Sequence, residues 1–263
     1  MCPSRSVARL LESQIKGVKK GRDQLWVSVL PRCPLRESRL SSTFFLVTVV
    51  RNLVAVYPLD ASSGARDISP TKSRPGKLSG VVVTYGPDGQ PDTAFRFSGS
   101  PNSYLEFPNF GRLDTRRSIT CLAWVFNEGR RGTIFQYGPK GEGVGLSIVR
   151  QNQVKVLIVS RTKSKSIPVI TRKKLFKPRT WTYVGFTYDY TTGIVAVYVN
   201  SKPVVRRIID RMELLTNKAA RSGATKRGRG YFRGRLSCIQ IYSRALTRTE
   251  IAAVKKRCFK GGI

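Results

Sequence analysis

The chain has 263 residues, 40% of them hydrophobic and 10% aromatic, with 14 Pro and 23 Gly. That is enough apolar material for a folded core, so wholesale disorder is excluded, and the most apolar stretch, Phe44–Val50, is too short to span a membrane as a helix. The 48 Lys and Arg against 15 Asp and Glu give a net charge of +33, and there is no histidine, which excludes Ser-His-Asp and Cys-His nucleophile systems and every His-ligated metal.

Residues 1–51 are irregular. They hold basic clusters, X-Pro breaks at Leu30-Pro31 and Cys33-Pro34, and one weak helical stretch, Val7–Val18. Arg5, Arg9, Lys16, Lys19, Lys20 and Arg22 are not followed by the early apolar run of a secretory signal. Either the chain is not exported by a standard signal, or its start is not the native one. From Leu53 the character changes to short apolar, β-branched segments separated by turn residues. Strands are predicted near Leu53–Leu59, Val81–Tyr85, Ala94–Phe97, Tyr104–Phe107, Ser118–Phe126, Thr133–Tyr137 and Val144–Val149. Further strands are predicted near Val154–Ser160, Trp181–Tyr188, Ile194–Val199, Pro203–Ile208 and Leu236–Tyr242. Gly86-Pro87-Asp88-Gly89, Gly138-Pro139 and Tyr190–Gly193 read as turns. Many short strands with regular turns mean an all-β sandwich or jelly roll.

Ser118–Phe126 is apolar on both faces, with Ile119, Cys121, Ala123 and Val125 on one and Leu122, Trp124 and Phe126 on the other. That is the pattern of a central strand covered on both sides, and the aromatics of Trp181–Tyr188 read as core packing in the same way. After the last strand, Thr247-x-x-Glu250 is a helix-capping box. Ile251, Val254 and Cys258 then share one helical face, with Lys255, Lys256 and Arg257 expected in the last turn. The helix would return Cys258 to the strand holding Cys238. A disulfide there is favoured over two free thiols, and it would imply an oxidising compartment. Cys121 is then expected as a buried free thiol. No C-x-x-C pair exists among Cys2, Cys33, Cys121, Cys238 and Cys258, so zinc ribbons and thioredoxin-type motifs are absent.

Several segments carry a resemblance by their order: Leu53–Leu59, Arg66–Ser69, Ala94–Gly99, Tyr104–Pro108, Ser118–Val125, Trp181–Gly185, Tyr188-Asp189, Val197–Asn200 and Gly234–Thr247. The series, ending in a strand–Cys–turn–helix–Cys unit, resembles the laminin-G-like, concanavalin A-like jelly-roll domains of extracellular animal proteins. The resemblance covers about Leu53 to Cys258. It implies two antiparallel sheets in a jelly roll with one short C-terminal helix. It also implies an extracellular or cell-surface setting and binding of glycans, matrix proteins or receptors, as in cell adhesion. The chain then divides into a basic segment, 1–51, disordered or foreign to the domain, and a jelly-roll domain over 52–263. Where the family often has an Asn-rich, His-containing turn, this chain has Pro70–Lys77, and Asn200-Ser201 is a poorer hairpin turn than Asn-Gly. Some relatives hold calcium at a loop rim through an Asp. Asp60 and Asp67 are the nearest candidates, but Lys72, Arg74 and Lys77 disfavour a dication, so no cofactor or metal is expected.

The same fold carries glycoside hydrolases, which need two carboxylates flanking the scissile bond. No two acids in the predicted strands share a face at i, i+2 or i, i+4, and Glu106, Glu128, Glu142 and Asp189 are isolated. A polysaccharide-acting enzyme is therefore disfavoured. The +33 charge attracts polyanions. Between Glu142 and Asp189 there is no acid, and within that interval Arg172, Lys173, Lys174 and Lys177 follow a spacing suited to sulfated glycans. Lys226, Arg227 and Arg229 form a second such cluster, and Lys19, Lys20 and Arg22 a third in the N-terminal segment. Nucleic acid is the competing polyanion, but no helix-turn-helix, zinc finger or RNA-binding aromatic motif is present. The expectation is a non-catalytic binding module. Its sulfated-glycan site would be the loop bearing Arg172, Lys173, Lys174 and Lys177, aided by Lys226, Arg227 and Arg229, with no specific nucleic-acid partner.

Overall fold

The computed structural model describes residues 50–129, 131–172, 175–177, 179–226 and 230–259. Fifteen strands form two antiparallel sheets: β1 (Leu53–Tyr57), β2 (Lys77–Ser79), β3 (Val81–Thr84), β4 (Ala94–Ser98), β5 (Tyr104–Phe107), β6 (Ile119–Asn127), β7 (Gly132–Tyr137), β8 (Gly145–Val149), β9 (Gln153–Val159), β10 (Ser166–Ile170), β11 (Trp181–Asp189), β12 (Ile194–Val199), β13 (Lys202–Ile208), β14 (Ala220–Gly223) and β15 (Arg233–Tyr242). One sheet has eight strands in the order β13-β12-β11-β6-β15-β4-β3, with β1 also paired to β15. The other has seven, β10-β9-β8-β7-β14-β5-β2. Among the described residues one short α-helix, α1 (Arg248–Ala253), follows β15. This is the jelly-roll sandwich expected from the sequence.

Every strand expected from the sequence is present with its ends within a residue or two, except that β15 begins three residues earlier, at Arg233. β2, β10 and β14 were not expected. β2 is three residues long, β10 has Pro168 at its centre on a sheet edge, and β14 reads Ala-Arg-Ser-Gly. β14 nevertheless sits inside its sheet, between β7 and β5. Its Arg221 is buried, paired with Glu106 at 2.6 Å and set 3.9 Å from the Tyr104 ring. Partners distant in sequence hold this segment extended.

Between the sheets, Tyr57, Phe107, Phe135 and Tyr137 form a chain of ring contacts with centroids 4.4, 5.9 and 5.2 Å apart. Cys121 lies in this core as a free, fully buried thiol, and burial pushes its pKa far up. The outer face of the eight-stranded sheet is also covered. Leu122, Tyr183 and Tyr242 pack with Val50, Leu246, Ile251 and Val254, so β6 is buried on both sides as its apolar pattern requires. The Trp124 indole N–H donates to Lys255 O at 2.9 Å. The capping box is formed: Thr247 Oγ1 accepts from Glu250 N, and the Glu250 carboxylate accepts from Thr247 N.

A bulge at Cys238, whose φ is 50°, breaks the β15 register between Ser237 and Gln240. Cys238 is disulfide-bonded to Cys258 across a Cα–Cα distance of 5.6 Å. One detail differs from the sequence expectation. The helix stops at Ala253, so Lys255, Lys256 and Arg257 lie in turns beyond it and not in its last turn. Asn200 and Ser201 both take left-handed φ values, 49° and 64°, as a tight hairpin between β12 and β13 requires. The Asn200 side chain accepts from Tyr183 N at 3.2 Å and holds that turn. Packing also reaches N-terminal of Asn52, because Val50 is only 3% exposed.

Candidate functional site

Strand alternation sets what the outer face of the seven-stranded sheet presents. On β9, Val154, Val156 and Ile158 point into the core, and Gln153, Lys155 and Leu157 point out. Ser147 and Val149 do the same on β8, and Thr133 and Gln136 on β7, where a bulge resets the alternation. Together these residues floor a groove of about 590 Å³. Among the described residues its basic members are Arg131, Lys140, Arg150 and Lys155, and no carboxylate lines it. Gln136 is held in place by donating from Nε2 to Gly143 O at 2.5 Å and to Tyr137 O at 3.2 Å. Gly145 lies directly beneath it, since a Cβ there would fall 1.9 Å from Gln136 Oε1.

The connection from β14 to β15 makes one wall. The chain leaves Gly223 beside Thr133 and reaches the β7–β8 turn, where Lys226 N–H donates to Pro139 O at 2.7 Å. It returns to Gly230 against Arg131, and Phe232 N–H donates to Gly223 O at 2.8 Å. Thr225 and Gly230 line the groove on this side. Lys226 is therefore an exposed residue at the rim near Lys140. Arg227 and Arg229 lie outside the described residues.

The β10–β11 connection packs on the start of β9. Gln153 Nε2 donates to Thr171 O at 2.8 Å and to Arg172 O at 3.3 Å, and Leu175 N–H donates to Asn152 O at 3.0 Å. Arg172 and Lys177 are exposed on this connection, next to the turn bearing Arg150. Lys173 and Lys174 lie outside the described residues. Of the two basic segments singled out by sequence, the described members Arg172, Lys177 and Lys226 do not themselves line the groove. The basic residues that do, Arg131, Lys140, Arg150 and Lys155, were not nominated as a site. Lys155 had a readable signal: it is the one charge in Val154-Lys-Val-Leu-Ile158, the mark of an outward position on a strand.

The calcium candidates are otherwise engaged. Asp67 is buried, and its carboxylate accepts from three backbone N–H groups, those of Val56, Ser69 and Ser73, at 2.8 to 2.9 Å. A carboxylate ringed by N–H donors presents donor hydrogens, and not further oxygens, to a cation. Asp60 closes a local turn by accepting from Ser63 N and Ser62 Oγ. Among the described residues, no three acidic or cysteine side chains gather as metal ligands. No helix among them is long and apolar enough to cross a membrane.

Residues 98–252 match a family model described as the concanavalin A-like lectin/glucanases superfamily. No curated protein sequence matches the chain. Solved structures with the same fold include the binding domain of botulinum neurotoxin serotype G, at a TM-score of 0.62 and 13% identity over 77% of this chain and 50% of that one. The binding domain of Paraclostridial mosquitocidal protein 1 aligns at 0.62 and 17% identity, covering 78% and 52%. The ligand-binding domain of botulinum neurotoxin serotype D, in complex with N-acetylneuraminic acid, aligns at 0.60 and 14%, covering 78% and 51%. The chain spans about half the length of these structures.

Proposed function

This chain belongs to the concanavalin A-like lectin/glucanases superfamily, and on that premise we propose that it is a non-catalytic module binding anionic glycans, sulfated or carboxylated, in the groove over the seven-stranded sheet. The observation that carries the reading is the lining: four basic side chains among neutral polar ones, with no carboxylate. Thr133, Gln136 and Ser147 supply hydrogen-bond partners for sugar hydroxyls, and the cations meet sulfate or carboxylate groups, arginine in a bidentate way. Hydrolysis needs a pair of acids across the scissile bond. The acid in the β7–β8 turn, Glu142, pairs instead with Lys218 at 3.4 Å. The serotype D domain, which shares the fold, is solved with an acidic sugar, and that is the ligand class this lining would attract. The Cys238–Cys258 disulfide supports an extracellular or cell-surface setting, where glycan-bearing matrix and membrane proteins are the partners.

The test is retention at physiological salt on immobilised heparin, chondroitin sulfate, sialylated glycan, neutral glycan and DNA. Retention on one or more anionic glycans above DNA and neutral glycan is expected. Lys140→Ser with Lys155→Ser should release the protein at lower salt with an unchanged melt, and Arg5→Ser with Arg9→Ser should matter less. Equal retention on DNA, or equal effects of the two charge pairs, overturns the reading.

A further inference from the structure

The groove continues past its sheet. Arg131 and Gly230, which line it, also line a depression of about 450 Å³ with Ser98, Gly99, Gly129, Tyr231 and Arg233. Arg233 in turn lines a pocket of about 360 Å³ with Arg96, Phe126, Glu128, Arg179 and Arg235. Arg96, Phe126 and Arg235 belong to β4, β6 and β15, so this pocket lies on the eight-stranded sheet. The three depressions share lining residues in sequence, and the path follows the chain itself. Residues 230–233 are where the β14–β15 connection passes from one sheet to the other.

The pocket is crowded with like charge. Arg96 and Arg235 stand directly opposite on paired strands, an arrangement that destabilises a sheet unless compensated. Glu128 compensates both, at 3.2 and 3.6 Å, and Arg235 rests 4.6 Å from the Phe126 ring centroid. Glu128 is the one carboxylate among the described residues that lines any of the three depressions. Arg179 and Arg233 are exposed beside it and have no carboxylate partner among the described residues. Arg179 also holds a left-handed φ of 51°, a strained setting for a residue with a Cβ, with its N–H donating to Asn127 O at 3.2 Å. Where the path rounds the end of the sandwich it is bare. A Cβ on Gly99 or Gly129 would come within 2.9 or 3.3 Å of Arg233 Cβ.

We propose that groove, depression and pocket form one track for a single extended sulfated glycan chain, which passes from the seven-stranded to the eight-stranded sheet around the end of the sandwich. The proposal rests on the anionic-glycan reading of the groove. The sheets of a sandwich lie about 10 Å apart, so a ligand reaching both must be several sugars long. Linking contacts along one chain raises its affinity above that of any short piece. A sugar chain fits better than a single-stranded nucleic acid, which uses a succession of free aromatic faces. Among the described residues the three depressions are lined by only two aromatic rings, Tyr231 in the middle one and Phe126 in the last, and Arg235 covers Phe126.

The experiment measures binding of heparin tetrasaccharide, heparin decasaccharide and oligothymidylate to the full chain across a salt series. The decasaccharide is expected to bind at least about tenfold more tightly than the tetrasaccharide, with one site per protein. Arg179→Gly with Arg233→Ser should remove most of that gain and lower the decasaccharide salt slope by about two, while leaving the tetrasaccharide unchanged. Glycine at 179 accepts the left-handed backbone, so the melt should hold. Glu128→Gln keeps the shape and one acceptor oxygen, enough for one of the two arginines, but removes the charge, and should strengthen decasaccharide binding alone, a gain that no folding defect would produce. No gain with length, two short chains per protein, or equal losses for both lengths overturns the track while leaving the groove reading standing. Failure of the wild type to bind either heparin length overturns the track, and failure on chondroitin sulfate and sialylated glycan as well overturns the groove reading with it. Oligothymidylate binding with the same length and variant dependence overturns the choice of glycan.

Discussion

On the outer face of the eight-stranded sheet, Leu122, Trp124, Tyr183 and Tyr242 lie under α1 and its flanking turns. On the outer face of the seven-stranded sheet, Thr133, Gln136, Ser147 and Lys155 lie in an open groove. The sheets share one core but treat their second faces in opposite ways. Aromatic and branched residues on one demanded a cover, which the chain supplies as a helix tied down by a disulfide. Polar and basic residues on the other are stable in water and stay available. Stability and ligand contact should therefore be separable by mutation.

The largest effect should come from Ile251→Ala, which empties a fully buried position under the covered face. A loss of about 2–5 kcal/mol is expected in chemical denaturation, with tetrasaccharide binding to the folded fraction intact. Loss of glycan affinity in the folded fraction would show that the faces are coupled. Replacing Cys238 and Cys258 by Ser opens a link spanning 20 residues and should cost about 3 kcal/mol, again without moving the groove. Thiol counting on the unfolded, unreduced chain checks the pairing.

A smaller effect is pH-dependent. Burial alone would raise the Glu250 pKa, but hydrogen bonds from Arg244 and Thr247 and the Arg244 charge hold it below the ordinary carboxylate range. Asp114 is likewise lowered, against its own burial, by Arg161, Thr216 and Arg116 N–H. A folded-state pKa below the unfolded one contributes stability above the unfolded value and loses it as pH falls through the folded value. The melting temperature should be level above about pH 5 and fall below about pH 4. Glu250→Gln should shallow that fall, and an unchanged slope would remove the capping carboxylate from the account. The smallest stability effect should be Lys155→Ser, within about 0.5 kcal/mol by denaturation, although it lowers the salt needed to elute from heparin. With no histidine in the chain, that elution should hardly vary between pH 5 and 8.

The covered face was legible in the sequence because local pattern encodes it. Apolar residues on both sides of Ser118–Phe126, the Thr247–Glu250 box and the returning Cys258 are all short-range signals. The open face was less so. β14 carries no strand signal, and Arg221 becomes a strand residue only through Glu106, more than a hundred positions away in sequence. The basic segments Arg172–Lys177 and Lys226–Arg229 were visible as charge runs, but their described members, Arg172, Lys177 and Lys226, do not line the groove. The groove gathers Arg131, Lys140, Arg150 and Lys155 from separate strands and turns, and no local window contains that set.

The cover on the eight-stranded sheet has a further consequence. Val50 packs into it, and Phe259 lies against Trp124 at 6.1 Å, so the described chain enters and leaves on the same side of the sandwich. A tether attached through either end would hold the module by its back. The groove would then look outward from whatever surface or scaffold carries it, and copies mounted side by side would offer their grooves in parallel to one long partner.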